Sequence, residues 1–336
     1  MHGKTEYTVI RLTIAALAVL ASTAAPGQQP VPHVPPTRVT TSQEDAFVQH
    51  LEAARESAGT EWLGVVDHMC TSGPVVTGSQ DDPLIEPVQI FDNVYAIGRT
   101  STVVYAITTS EGLILIDSGY ADQLDSVLLR GMDQVGLDPG DIRYVIVLHG
   151  HTDHYGGSPL LQERFGASVV ASEADWELME DFDPDSGRPR PPVRDVVATE
   201  GEPIRLGDGT VTPFLVPGHT PGAISVIFSV QDGDAAHTAA VFGGTALIVP
   251  RLGDALPQYL ESIDRFAGIA ADRGVDVVLQ NHPLFDGMPE KLQRLESRGT
   301  GEPHPFVVDS PDSYRRFMET LSQCSRAQVA AASNDG

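Results

Sequence analysis

Lysine is almost missing from this sequence: Lys4 and Lys291 are the only two among 336 residues. With 21 basic side chains against 46 acidic ones, the formal net charge is -25. That field repels phosphate backbones and anionic lipid surfaces, so nucleic acid is not an expected partner. Cysteine is as scarce, with only Cys70 and Cys324 present. In an exported chain such a pair can close a disulfide, here tying the segment ahead of the main domain to the last helix. Two unrelated buried thiols is the other reading. Beyond the N-terminus no run is long and apolar enough to span a membrane, so no stable span is expected. No period of fixed length recurs, which excludes a solenoid. No Gly-x-Ser-x-Gly nucleophile elbow is present either.

Lys4 and Arg11 precede an apolar run from Leu12 to Ala21, and the small residues Ser22, Thr23, Ala24 and Ala25 follow. Residues 1–25 therefore read as an export signal cleaved near Ala24, which places the mature chain in the periplasm or outside the cell. The run is shorter than the roughly 20 residues of a membrane span, so an uncleaved anchor is the second reading. Residues 26–87 read as a proline-rich leader and N-terminal extension. Pro26, Pro30, Pro32, Pro35 and Pro36 make the first part flexible or polyproline-like. Phe47, Leu51, Ala54 and Ala58 then recur at helical spacing from Glu44 to Ala58, and 71–87 returns to a Gly, Ser, Asp and Pro connector.

The main domain is expected over 88–330. Val88–Ile97, Thr102–Thr108 and Leu113–Asp117 read as strands, and Asp122–Val135 as a helix that Gly136 stops. A helix to Phe165, a strand at Val169-Val170 and a helix over Glu173–Glu180 follow. Residues 182–203 break the pattern with five prolines and with Arg188, Arg190 and Arg194. Such a loop reads as a lid or substrate wall, or as a surface excursion. Strands over 210–216, 223–230, 238–242 and 275–279, with helices over 256–271, 290–298 and 313–330, complete the chain. Two strand-rich halves, each followed by helices, predict an α+β fold in which sheet packs on sheet with helices outside.

One stretch concentrates chemistry. The apolar run Tyr144–Leu148 delivers His149-Gly150-His151-Thr152-Asp153-His154, with three imidazoles and a carboxylate in six residues. Imidazole and carboxylate together suit a borderline divalent ion such as zinc. Two later histidines occupy similar places. His219 sits in the turn Pro217–Gly222, and His282 follows the run Val277–Asn281 and precedes Pro283. Alone, each would be read as structural; beside a cluster that needs further ligands, each becomes a candidate.

In order and spacing, the run His149–Gly157, the His219 turn and the strand-end His282 resemble the metallo-β-lactamase superfamily. The resemblance implies an αββα four-layer sandwich with a metal cleft at one edge of the two sheets. It also implies two Zn2+ per chain, one on His149, His151 and His219 and the other on Asp153, His154 and His282. Asp117 resembles the acid that relatives use to orient the ligands. Thr245, after Phe242-Gly243-Gly244, stands where relatives place a cysteine or a bridging aspartate, and threonine replaces neither well. That pattern resembles the third subclass of metallo-β-lactamases.

The implied activity is that of a metal-dependent hydrolase opening a β-lactam or related cyclic amide, a small-molecule substrate. Asp153 is the implied catalytic residue, orienting a hydroxide whose pKa two metals lower from about 15.7 towards roughly 7. A lactonase or esterase of the same fold is the alternative, and a non-catalytic periplasmic zinc-binding protein is the reading from a different class. The region of Ile248 lacks the lysine that some β-lactamases use for the substrate carboxylate; Arg251 or an arginine of the 182–203 loop is the substitute. Thr245 and the scarcity of lysine argue against the glyoxalase II branch. The acidic charge argues against the nuclease branch.

Overall fold

Period-two alternation sets the layers. In the strand Gly112–Ile116, Ile114 and Ile116 join the core between two sheets, while Leu113 and Leu115 join a second core under helices. A strand apolar on both faces must be covered on both, which demands four layers here. The computed structural model describes residues 41–71, 82–245, 255–310 and 312–332. The expected export signal, the leader up to residue 40, most of the 71–87 connector, Ile248 and Arg251 lie outside them.

Among the described residues the strands are β1 (Leu84–Phe91), β2 (Val94–Arg99), β3 (Val103–Thr109), β4 (Gly112–Ile116), β5 (Ile142–Ile146), β6 (Ser168–Ala171), β7 (Val196–Val197), β8 (Ile204–Leu206), β9 (Gly209–Leu215), β10 (Ile224–Asp232), β11 (Ala235–Val241) and β12 (Val277–Leu279). Strands β1 to β7 form one sheet in sequence order, antiparallel as far as β4 and parallel from β4 onward. The second sheet runs β12-β11-β10-β9-β8, with β12 parallel to β11. The helices are α1 (Thr41–Ala58), α2 (Leu63–Val65), α3 (Arg130–Gln134), α4 (Thr152–Tyr155), α5 (Ser158–Phe165), α6 (Glu173–Glu180), α7 (Leu256–Asp272), α8 (Met288–Glu296) and α9 (Ser313–Ala332). The expected α+β sandwich is therefore the observed one.

The second outer layer rests on α7, whose buried Tyr259, Ile263, Phe266 and Ala270 recur at three- and four-residue spacing. With Phe214 and Phe242 from the sheet they build a core that α1 and α9 share. Trp62, fully buried, packs edge-on to Phe317 at 5.1 Å and donates to the Ser313 carbonyl. Cys70 and Cys324 close a disulfide there, as the sequence led us to expect.

One expectation is corrected. Val88–Ile97 is not one strand but the hairpin β1–β2, turning at Asp92-Asn93, residues that favour turns. Strand β1 also begins before Pro87, at Leu84. A proline is tolerated there because β1 is the sheet's edge, and the register shifts between Ile85 and Val88. The 182–203 loop is strapped to the helices beneath it. Gln162 exchanges two hydrogen bonds with Val193, Tyr155 donates to the Pro189 carbonyl, Arg190 pairs with Glu163, and Arg194 with Glu173 and Glu180.

Candidate metal centre

The two sheets are laced together at one edge by backbone hydrogen bonds. Ile224 N–H, opening β10, donates to the Leu148 carbonyl at 2.8 Å, and Val103 N–H, opening β3, donates to the Asn281 carbonyl at 2.9 Å. His149 follows the first of these acceptors and His282 the second. The His219 turn comes from the β9–β10 connection. Three loops thus converge because the strands that carry them end side by side.

The convergence yields two trios of donor atoms: His149, His151 and His219 in one, Asp153, His154 and His282 in the other, each within 4.8 Å of its fellows. In the first, His219 Nε2 lies 3.1 Å from His149 Nε2 and 3.0 Å from His151 Nδ1. In the second, Asp153 Oδ2 lies 3.2 Å from His154 Nε2 and 3.9 Å from His282 Nε2. The trios abut, with the His149 and His154 rings 3.8 Å apart. All six side chains that the sequence singled out as ligands are brought together.

Outer partners fix two tautomers. His154 Nδ1 lies 2.7 Å from Asp117 Oδ2, and His282 Nδ1 lies 2.7 Å from the Ser101 carbonyl. Both oxygens only accept, so each Nδ1 carries a proton and each Nε2 lone pair faces the trio in the neutral ring. Asp117 also accepts Leu148 N–H at 2.8 Å and Asn281 Nδ2–H at 3.2 Å. It does so at φ 64, a left-handed conformation rare outside glycine but tolerated by Asp and Asn. Asp117 thus touches His154 and the residues that precede His149 and His282 rather than the cluster's centre.

Two buried atoms test whether a cation suits the site. Asp153 Oδ2 and His154 Nε2 are buried and lack a hydrogen bond of acceptable geometry. Buried polar atoms without partners are costly, and a divalent cation would satisfy both. Burial, reinforced by the surrounding imidazoles, holds His149 neutral, as a ligand must be. Burial also lowers His154, but the Asp153 and Asp117 carboxylates outweigh it and raise the imidazole to about 10 without a metal. Burial alone would raise Asp153, yet His154 and its neighbours hold that carboxyl below the usual range. The cluster therefore fits a divalent metal, whose binding displaces the His154 proton.

Thr245 turns away from this role. Its hydroxyl lies 3.0 Å from the Phe242 carbonyl and contacts Gln280 Oε1. The Gln280 carbonyl accepts Tyr105 Oη–H at 2.7 Å and its N–H donates to Asp286 Oδ2 at 3.1 Å, so the approach to His282 is pinned from three sides. Gly244, at φ 78, admits no side chain: a Cβ there would lie 2.4 Å from His219 Cβ. Sequence reasoning missed Asn281, Ser101 and Asp175. Asp175 sits three residues after Ser172, whose hydroxyl caps α6, so its local pattern signals a helix start and nothing more.

Three comparisons bear on this arrangement. Metallo-beta-lactamase domain-containing protein 1 of Homo sapiens is 31% identical over 206 residues, 60% of this chain and 70% of that protein. A hydroxyacylglutathione hydrolase of Acidiphilium cryptum is 30% identical over 119 residues, 35% of this chain and 42% of that enzyme. The structure of BJP-1, a subclass B3 metallo-beta-lactamase of Bradyrhizobium japonicum, superposes with a TM-score of 0.66 at 29% identity, covering 75% of this chain and 96% of that one. With the paired sheets, the His/Asp cluster at their edge and a match of residues 97–272 to the family model, the chain belongs to the metallo-beta-lactamase superfamily of metal-dependent hydrolases.

Proposed function

We propose that this chain is an exported di-zinc hydrolase that opens a β-lactam or a related cyclic amide. The observation that carries the proposal is the pair of donor trios, one of three imidazoles and one of Asp153, His154 and His282, with Thr245 turned to Gln280. His149, His151 and His219 would hold one zinc ion and Asp153, His154 and His282 the other, and that pair would supply a nucleophile near neutral pH and Lewis acidity for the carbonyl. Asp153, held ionised, would orient the attacking oxygen while holding one ion. Asp117 and the Ser101 carbonyl keep His154 and His282 in the tautomers that leave Nε2 free. Asp153, His154 and His282 are all buried.

Export is supported by the N-terminal pattern and by the Cys70–Cys324 disulfide, a bond that persists in oxidising compartments. Among the described residues no helix is long and apolar enough to cross a membrane. Among the described arginines of the 182–203 loop that could meet a substrate carboxylate, two are already paired. Arg190 and Arg194 are committed to Glu163, Glu173 and Glu180.

A lactonase or thioesterase is the second reading, favoured by the match to a hydroxyacylglutathione hydrolase. One assay separates them. The zinc-loaded mature protein is offered a penicillin, a cephalosporin, a carbapenem, a lactone and a thioester. Turnover of a lactam supports the proposal, whereas turnover of the lactone or thioester alone replaces it with the second reading.

A further inference from the structure

The two trios are braced in different ways. In the second, His154 and His282 each rest their outer ring nitrogen on a fixed oxygen. In the first, His149 Nδ1 is buried without a hydrogen-bond partner, so no such bond sets that ring. Its position depends on the backbone of its loop. That loop and the His219 turn meet on one carboxylate, Asp175, which is 1% exposed.

Asp175 Oδ2 accepts Gly150 N–H at 2.8 Å and the Thr220 hydroxyl at 2.7 Å, while Oδ1 accepts Gly222 N–H at 2.8 Å. Gly150 separates His149 from His151, and Thr220 follows His219. One side chain therefore joins the loop that carries two imidazoles to the turn that carries the third. The turn lies so close to α6 that a Cβ on Gly222 would stand 2.0 Å from Ser172 Oγ and 2.5 Å from Asp175 N. Asp175 acts on the two loops through Gly150, Thr220 and Gly222 rather than on the imidazoles themselves, and these three donors account for its acceptor capacity on the sides that face the two loops.

We propose that Asp175 is a positioning residue for the first trio, clamping the His149–His151 loop to the His219 turn and so setting the spacing of the three imidazoles. The proposal rests on the ligand reading given above. An amide cannot do the same work. With its oxygen towards Gly222, Asn turns an NH2 group on Gly150 N–H; with its oxygen towards Gly150, it turns NH2 on Gly222 N–H. Either way two donors face each other and one loop is released. If Asp175 served only the N-terminus of α6, its loss would lower thermal stability and leave the relative affinities of the two metal sites alone.

The test is zinc retention against a graded series of chelator concentrations for the unsubstituted protein and for Asp175→Asn, with the cobalt-substituted visible spectrum reporting which site remains filled. The unsubstituted protein should retain two equivalents; fewer would overturn the ligand reading and this proposal with it. In Asp175→Asn one equivalent should bind roughly 10- to 100-fold more weakly, the range typical of lost outer partners, and the other should be unchanged. Thr220→Val, which removes a single donor, should shift the same equivalent by less, and Thr220→Ser should restore it. Should Asp175→Asn fail to fold, the Thr220 pair decides by the same readout. Two unsubstituted affinities in Asp175→Asn, or equal weakening of both equivalents, would overturn the proposal while leaving the ligand reading intact.

Discussion

Replacing Asp117 with Asn should release the second metal and leave the fold in place. Asn tolerates the left-handed backbone at φ 64, so the strand exit keeps its path. Its carbonyl can still accept Leu148 N–H, which Asp117 now accepts at 2.8 Å. The amide nitrogen then occupies the place of Oδ2, where His154 Nδ1–H donates at 2.7 Å and Asn281 Nδ2–H at 3.2 Å. Nitrogen cannot accept there. His154 either loses the bond or moves its proton to Nε2, the atom that faces Asp153 Oδ2 at 3.2 Å, and a protonated Nε2 has no lone pair for an ion. A hydrogen bond to a charged group contributes about 1.5–3 kcal/mol. That corresponds to roughly 10- to 100-fold in affinity for one of two zinc ions. Competition with a chromogenic chelator measures it, with circular dichroism to verify the fold. Two zinc ions bound to Asp117→Asn at unsubstituted affinity would refute the reasoning.

Other perturbations probe other parts of the account. His151→Ala should strip metal and hydrolytic activity together; unchanged zinc content would refute its place among the ligands. The disulfide closes a loop with a sequence separation of 254. Chain entropy puts its contribution at roughly 5 kcal/mol as an upper figure, so paired Cys70→Ala and Cys324→Ala should lower the urea midpoint strongly. An unmoved midpoint would contradict that figure. Burial pushes the Asp286 carboxyl from 3.8 up to about 6, against the pull of Lys291. A raised folded-state pKa favours the neutral form, so this stability is full below about pH 4 and is lost as pH rises through 6. The difference is on the order of 3 kcal/mol. Asp286→Asn should gain about that much relative to the parent between pH 4 and pH 7, and a pH-independent difference would contradict it.

What the sequence discloses depends on whether a role is written in side-chain type or in backbone proximity. His149, His151, Asp153, His154, His219 and His282 are legible because metal ligation demands those side chains, and because the three segments that carry them follow strands. The layers are legible because a strand such as β4 is apolar on both faces. Asp175 is not legible. Its partners are backbone N–H groups of Gly150 and Gly222, 25 and 47 residues away, and any residue type offers an N–H. The β1–β2 hairpin is hidden for a local reason: Asp92-Asn93 is a two-residue turn between runs of similar composition, and Pro87 disguises the strand before it.

On the proposed reading, six side chains from three loops hold two metals side by side. Anomalous scattering at the zinc absorption edge, from crystals of the zinc-loaded protein, tests it most directly. Two peaks are expected about 3.5–4 Å apart, the spacing of two-metal hydrolytic sites, one against His149, His151 and His219 and one against Asp153, His154 and His282. A single peak, or zinc bound away from these residues, would contradict it.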